Sequence, residues 1–245
     1  MAGTKLVRVA AISVATLLGG AATAQDFQQN WEGFYAGIHA EASMFAVTAT
    51  DPNNSFLSDF PEQSLIVGHG GVTGGYNYML GDNFIVGAEL DYTSELAIDE
   101  FFSSNAAATT GVQFDWRVEG ITTLRGRAGF VQGNALTFMT VGVANATTNM
   151  KTYDVDTGST ELSCDTSNCA ETAEDLLGLT VGAGVDWAFR EDWIARVEIQ
   201  HYAFESVQAP VLNSAGDPFC GSTDQCTIGY APDVTSIRMG VSYKF

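Results

Sequence analysis

Proline, histidine and basic side chains are all scarce in this 245-residue sequence, which has five prolines, three histidines and ten Lys+Arg against 29 Asp+Glu. Few prolines leave long strands possible, because a proline in a ladder withholds a backbone donor. A net charge of −19 argues against any surface that tracks phosphates, so neither nucleic acid nor bare anionic lipid is an expected partner. Histidines at 39, 69 and 201 alone give little material for metal cages or catalytic triads. Long hydrophobic runs are missing too. Past the first 24 residues no segment is long and apolar enough for a membrane helix, which takes about 20 residues. A membrane protein of this sequence must therefore cross with strands closed into a barrel, since hydrocarbon leaves no partner for free backbone groups.

What is present begins with Lys5 and Arg8, a short apolar run from Val9 to Leu18, and then Ala22-Thr23-Ala24. That order reads as a secretory signal peptide over residues 1–24, with a mature domain over residues 25–245 starting near Gln25. Removing Lys5 and Arg8 leaves 8 basic against 29 acidic residues, a net of −21. The aromatic and β-branched content argues against a disordered acidic chain. The mature length suits one domain of short strands and tight turns.

Eight segments alternate between apolar and polar residues: Gly33–Val47, Val67–Leu80, Phe84–Leu96, Val112–Val131, Ala135–Asn149, Leu176–Phe189, Trp193–Ser206 and Val234–Phe245. Successive side chains on a strand point to opposite faces, so each segment predicts a strand with one apolar face. Gly81-Asp82-Asn83, Gln132-Gly133-Asn134 and Arg190-Glu191-Asp192 supply tight hairpin turns. The other connections, about 48–66, 97–111, 150–175 and 207–233, are long and polar. Short turns on one side and long loops on the other predict an all-β, eight-stranded antiparallel up-and-down transmembrane barrel. The short turns would be periplasmic and the long loops extracellular.

The polar faces carry both signs of charge. Arg117, Arg125, Arg127, Arg196 and Arg238 share them with Glu89, Asp91, Asp115, Glu119, Asp186 and Glu198. Five of the eight mature basic residues therefore lie on these faces. Buried charges cost several kcal/mol unless paired, and mixed signs provide pairs. These residues are accordingly expected to line a narrow lumen as an ion-pair network, with the apolar faces turned to lipid. Eight strands leave an interior just wide enough for side chains, so an open channel is not expected. Aromatic residues near the short turns, among them Phe34, Tyr76, Trp187, Trp193 and Tyr243, suit an interfacial belt.

Trp31-Glu32-Gly33-Phe34-Tyr35-Ala36-Gly37, Gly74-Gly75-Tyr76-Asn77-Tyr78, Glu89-Leu90-Asp91-Tyr92 and Leu124-Arg125-Gly126-Arg127-Ala128-Gly129 occur in order. Thr180-Val181-Gly182-Ala183-Gly184-Val185-Asp186-Trp187 and Arg238-Met239-Gly240-Val241-Ser242-Tyr243-Lys244-Phe245 follow. Together they resemble the small eight-stranded outer-membrane β-barrels of Gram-negative bacteria, in particular the opacity-protein-like surface antigens of the "porin family" and their OmpA- and OmpX-like relatives. The resemblance implies a non-enzymatic outer-membrane protein with a structural and surface-antigen role. It implies no catalytic residue and no cofactor. It also makes Tyr243 and Phe245 a C-terminal signal for the outer-membrane assembly machinery. A small-solute porin and an adhesin acting through the loops are the alternative readings.

Two smaller features complete the reading. Cys164 and Cys169 lie in one long loop and Cys220 and Cys226 in another; four thiols in an exported chain predict disulfides, and the spacing favours one within each loop. A zinc site fits these spacings poorly. His201 and Glu205 share the lipid-facing parity with Ser206 beside them, but a lone strand histidine seldom has a catalytic partner set. The acid-rich loops suggest contact with lipopolysaccharide phosphates through divalent cations.

Overall fold

The computed structural model describes residues 29–50, 63–95, 111–155, 169–220 and 226–245; the expected leader and Cys164 lie outside the described residues. The strands are β1 Gly33–Thr50, β2 Gln63–Leu80, β3 Phe84–Glu95, β4 Gly111–Gln132, β5 Ala135–Val155, β6 Cys169–Arg190, β7 Trp193–Phe204, β8 Val207–Leu212 and β9 Thr227–Lys244. From β1 to β7 each strand pairs antiparallel with the next, β7 pairs with β9, and β9 pairs back with β1 from Tyr35↔Lys244 to Thr50↔Gly229. The sheet closes on itself, which removes the unpaired edges an open sheet would expose.

The ninth strand does not add a ninth position to the wall. β7 lies between β6 and β9, and β8 lies between the same two strands nearer the loop end, through Cys169↔Leu212 and Val207↔Tyr230. Glu205 and Ser206 interrupt what is otherwise one path. The ring therefore has the eight positions that the alternation predicts, and the connection read as a loop over 207–233 contains β8 and the first part of β9.

Register sets the shape. Following paired residues around the ring, Gly33 leads through Asn77, Gly87, Arg127, Thr140, Gly182, Gln200 and Ser236 to Ser43, ten residues further along β1. That stagger over eight strands about 4.7 Å apart tilts each strand about 40° from the axis. Each residue then climbs roughly 2.5 Å, so an apolar band about 25 Å tall needs about ten residues. β4 and β6 each run 22 residues, and about half of each stands clear of such a band.

The exterior carries that band. Ile38, Val72, Leu90, Leu124, Val141, Leu179, Val181, Val197 and Met239 are all exposed. A ring of aromatics borders it at the short-turn end, with centroids 4.7 Å apart for Phe34 and Tyr76 and 5.3 Å apart for Trp193 and Tyr243. A soluble monomer does not present a contiguous apolar surface of this kind, whereas a bilayer requires it.

Towards the loop end the amphipathicity reverses. On β6, Leu177, Leu179 and Val181 face outward and Thr180 inward; a little higher, Leu176 and Ala170 are buried while Asp175 and Glu171 are exposed. Leu176 and Ala170 join Met150, Ala209, Val211, Cys226, Ile228 and Tyr230 in a closed apolar cluster. One strand thus has a lipid-adapted half and a water-adapted half. This is why the alternating segments in the sequence stop short: the parity of the apolar residues changes before the strands end. An arginine in place of Val181, on the outer face of the band, is expected to cost about 2–4 kcal/mol in urea unfolding from lipid vesicles. Ala173→Arg, on the exposed face above it, should stay within about 0.5 kcal/mol, and equal costs would place both residues in the same solvent.

Candidate functional site: a filled lumen

Inward-facing side chains fill the barrel in layers. The floor, at the short-turn end, packs Trp31, Ile85, Val131, Leu136, Ala188 and Ile194 with Met79. Trp31 precedes β1 and crosses the mouth, so that its indole Nε1 donates to the Gly133 carbonyl in the β4–β5 turn at 3.4 Å. The neighbouring Glu32 carboxylate accepts from the Met79 amide at 3.1 Å. A short lead-in segment thereby stoppers this end.

Above the floor lies a first group of ions. Glu89 on β3 pairs with Arg125, with Arg127 at 3.4 Å and with Arg196 at 2.6 Å. Asp186 on β6 pairs with Arg127 at 2.8 Å and Arg196 at 2.7 Å. The Tyr35 hydroxyl donates to Glu89 and accepts from Arg127 Nη1 at 2.9 Å. The Phe138 ring lies under both guanidiniums, 4.2 Å from Arg127 and 4.9 Å from Arg196, where their charge meets the ring's negative face. Glycines on neighbouring strands make room: a β-carbon on Gly75 would overlap the Tyr35 hydroxyl, and one on Gly71 would overlap the His39 ring.

A second group sits higher. Arg125 donates to Asp91 at 3.1 Å and to Glu198 at 2.5 Å. Arg238 donates to Glu41 at 3.0 Å, to Asp91 at 2.9 Å and to the Tyr202 hydroxyl at 3.3 Å. Thr123 and Ser43 donate to Asp91 and Glu41, each at 2.9 Å. Phe45, Ile121, Ala144, Ala146, Tyr202 and Val234 then form an apolar ceiling. Every charged side chain in the two groups is at most 5% exposed. Burial raises the stakes of each pair, because a charge stripped of its partner cannot fall back on water.

Eight residues expected in the lumen meet there: Glu89, Asp91, Arg125, Arg127, Asp186, Arg196, Glu198 and Arg238. Two do not. Arg117 and Glu119 are exposed, because the β4–β5 register slips between Val118 and Gly120. A bulge inserts one extra residue and turns the odd positions before it outward. Asp115 stands opposite Lys151 in the register, and its side chain lies outside the described residues. Glu41, Tyr35 and Tyr202 belong to the network but are absent from the expected set. Glu41 was legible, since it shares its parity with His39 and Ser43 and faces away from Ile38 and Met44.

The remaining expected sites lie apart from the lumen. Cys220 and Cys226 are bonded to each other, and Cys169 is also in a disulfide. His201 is exposed on β7 and shares a 3.0 Å hydrogen bond with the Thr235 hydroxyl, while the Glu205 carboxylate accepts from the Leu177 amide at 3.3 Å. Tyr243 and Phe245 lie on the outer face with their rings 5.2 Å apart. Replacing Arg125 by methionine leaves Glu89, Asp91 and Glu198 short of a partner and should cost about 3–5 kcal/mol in urea unfolding. The exposed Arg117→Met should change stability by no more than about 0.5 kcal/mol; a comparable loss would return Arg117 to the interior.

Known proteins share this architecture. A family model described as outer membrane protein beta-barrel domain matches residues 12–245. The 31 kDa outer-membrane immunogenic proteins of Brucella melitensis biotype 1 and Brucella suis biovar 1 are each 26% identical over 225 residues, covering 88% of this chain and 84% of theirs. Among solved structures, the outer membrane protein OprG from Pseudomonas aeruginosa aligns with a TM-score of 0.55 at 15% identity, over 90% of this chain and 99% of that one. The last likeness is one of fold.

Proposed function

The chain belongs to the outer membrane protein β-barrel family and resides in the outer membrane, and we propose from that premise that it is a non-enzymatic structural barrel displaying a surface antigen. The observation that carries this reading is the lumen, closed in succession by the Trp31 floor, the ion pairs and two apolar layers. Such a barrel holds its place in the membrane and raises a rigid extension above it. The apolar cluster that joins β5, β6, β8 and β9 and the Cys220–Cys226 bond support this part of the wall as the base of such a display. The immunogenic character of the Brucella relatives agrees with that role. Among the described residues the interior is occupied by these packed layers of side chains, which favours a closed barrel over the porin alternative.

On this reading the short turns face the periplasm, the long loops lie outside, and residues 1–24 are a leader removed on export. On the same reading Tyr243 and Phe245, at the end of the strand that closes the ring with β1, serve as the signal for the assembly machinery. Protein purified from outer membranes should begin near Gln25 by N-terminal sequencing and show no stable nanosiemens openings in planar bilayers. Regular openings of that size would make it a porin instead. Outside the band, Glu174, Asp175, Glu205 and Asp233 are exposed on the wall, suited to lipopolysaccharide phosphates only through divalent cations. EDTA should therefore ease extraction of the protein from intact membranes; unchanged extraction would remove the cation bridge.

A further inference from the structure

The buried charges of the lumen do not balance. Among the described side chains five carboxylates are buried, Glu41, Glu89, Asp91, Asp186 and Glu198, against four guanidiniums, Arg125, Arg127, Arg196 and Arg238. The excess is local. In the lower group Glu89 and Asp186 face Arg127 and Arg196, two against two. In the upper group Glu41, Asp91 and Glu198 face Arg238 and Arg125, the latter also bonded to Glu89 below, so three carboxylates meet at most two guanidiniums. An uncompensated negative charge inside a closed barrel is costly.

Oxygen atoms without a hydrogen-bond partner among the described residues occur at that same level. Glu198 Oε2, Gln200 Oε1 and Ser236 Oγ are all buried and make no hydrogen bond to any described residue. Gln200 and Ser236 are directly paired in the β7–β9 register, and Glu198 is the next inward residue below Gln200. The Gln200 amide nitrogen is already committed to Thr180 on β6, 2.8 Å away, which leaves its oxygen unused. The Arg238 guanidinium, 3.9 Å from Glu198 Oε2, makes its short bonds to Glu41 and Asp91 instead.

We propose that Glu198, Gln200 and Ser236 form a binding site for one monovalent alkali cation, enclosed between the ion pairs and the apolar ceiling. A carboxylate, an amide and a hydroxyl oxygen are the ligands a hard cation takes, and one unit of positive charge neutralises the upper group. Ordered water would satisfy the oxygens but would leave the charge. A proton on His39 or His69, each with one unpartnered ring nitrogen, would supply the charge but leave the oxygens bare. The cation does both.

The test is urea unfolding of the refolded full-length mature protein in zwitterionic micelles, with sodium or potassium chloride replaced stepwise by tetraethylammonium chloride at constant ionic strength. Above the dissociation constant, the unfolding equilibrium constant should fall about tenfold for each tenfold rise in alkali ion. Ser236→Ala leaves every ion pair in place and should move that dependence roughly tenfold higher in concentration, since the lost ligand is worth about as much as a hydrogen bond to a charged group. Crystals grown in rubidium chloride should show an anomalous peak within reach of Glu198 Oε2 and Ser236 Oγ. Equal stability in alkali and tetraethylammonium salts, an unaltered dependence in Ser236→Ala, or a site holding only water would each overturn the assignment.

Discussion

Closing eight strands leaves a lumen that only side chains can fill, and nearly everything else in this protein follows from how that small volume is packed. A membrane barrel turns its apolar face to lipid, so the face left for the interior is polar. Polar groups packed in a dry tube must satisfy one another. Here guanidiniums from β4, β7 and β9 reach carboxylates from β1, β3, β6 and β7, and several of these pairs, Arg125–Glu198, Arg127–Asp186, Arg196–Glu89 and Arg238–Asp91, tie strands that are not neighbours in the sheet. Backbone ladders hold adjacent strands together; the lumen holds opposite walls.

The two ends of the barrel solve a different problem. Below the ions, Trp31 leaves the line of β1 to cover the mouth. Above them, Phe45, Ile121 and Val234, and then Met150, Leu176 and Ile228, close the tube with hydrocarbon. There the outside is water, so the inside becomes the apolar side. The reversal at Leu176 and Leu177 marks on a single strand where the surrounding solvent changes. A charged layer bracketed by two apolar ones explains how side chains of the wall strands, with Trp31, close the interior.

Much of this was legible in residue order. The segment Glu89-Leu90-Asp91-Tyr92 shows its two faces by alternation alone, and Arg125 and Arg127 fall on the lumen side by the same count. The reading failed where counting by two failed. At Glu119 a bulge shifts the parity; Gly120 is a residue type that marks bulges, but it is one of many strand glycines and does not single out this position. At Glu205 and Ser206 the path of the seventh wall position broke and resumed as β8, hidden in what looked like a loop. Glu41 shows its lumen-facing parity too, but β1 carries no second Asp, Glu, Lys or Arg to mark that face as a charged one.

Alternation, turn chemistry and the balance of charge determined by themselves that the chain forms a closed antiparallel barrel with a charged interior, because side-chain direction in a strand is a local property. Which carboxylate meets which guanidinium was decided only in three dimensions. Glu89 with Arg196 and Glu41 with Arg238 are separated by 107 and 197 positions, and their meeting depends on the stagger of the strands, a sum of every hairpin register around the ring. The same holds for the excess of one carboxylate beside Gln200 and Ser236: composition counts charges, but only the closed sheet puts them at one height.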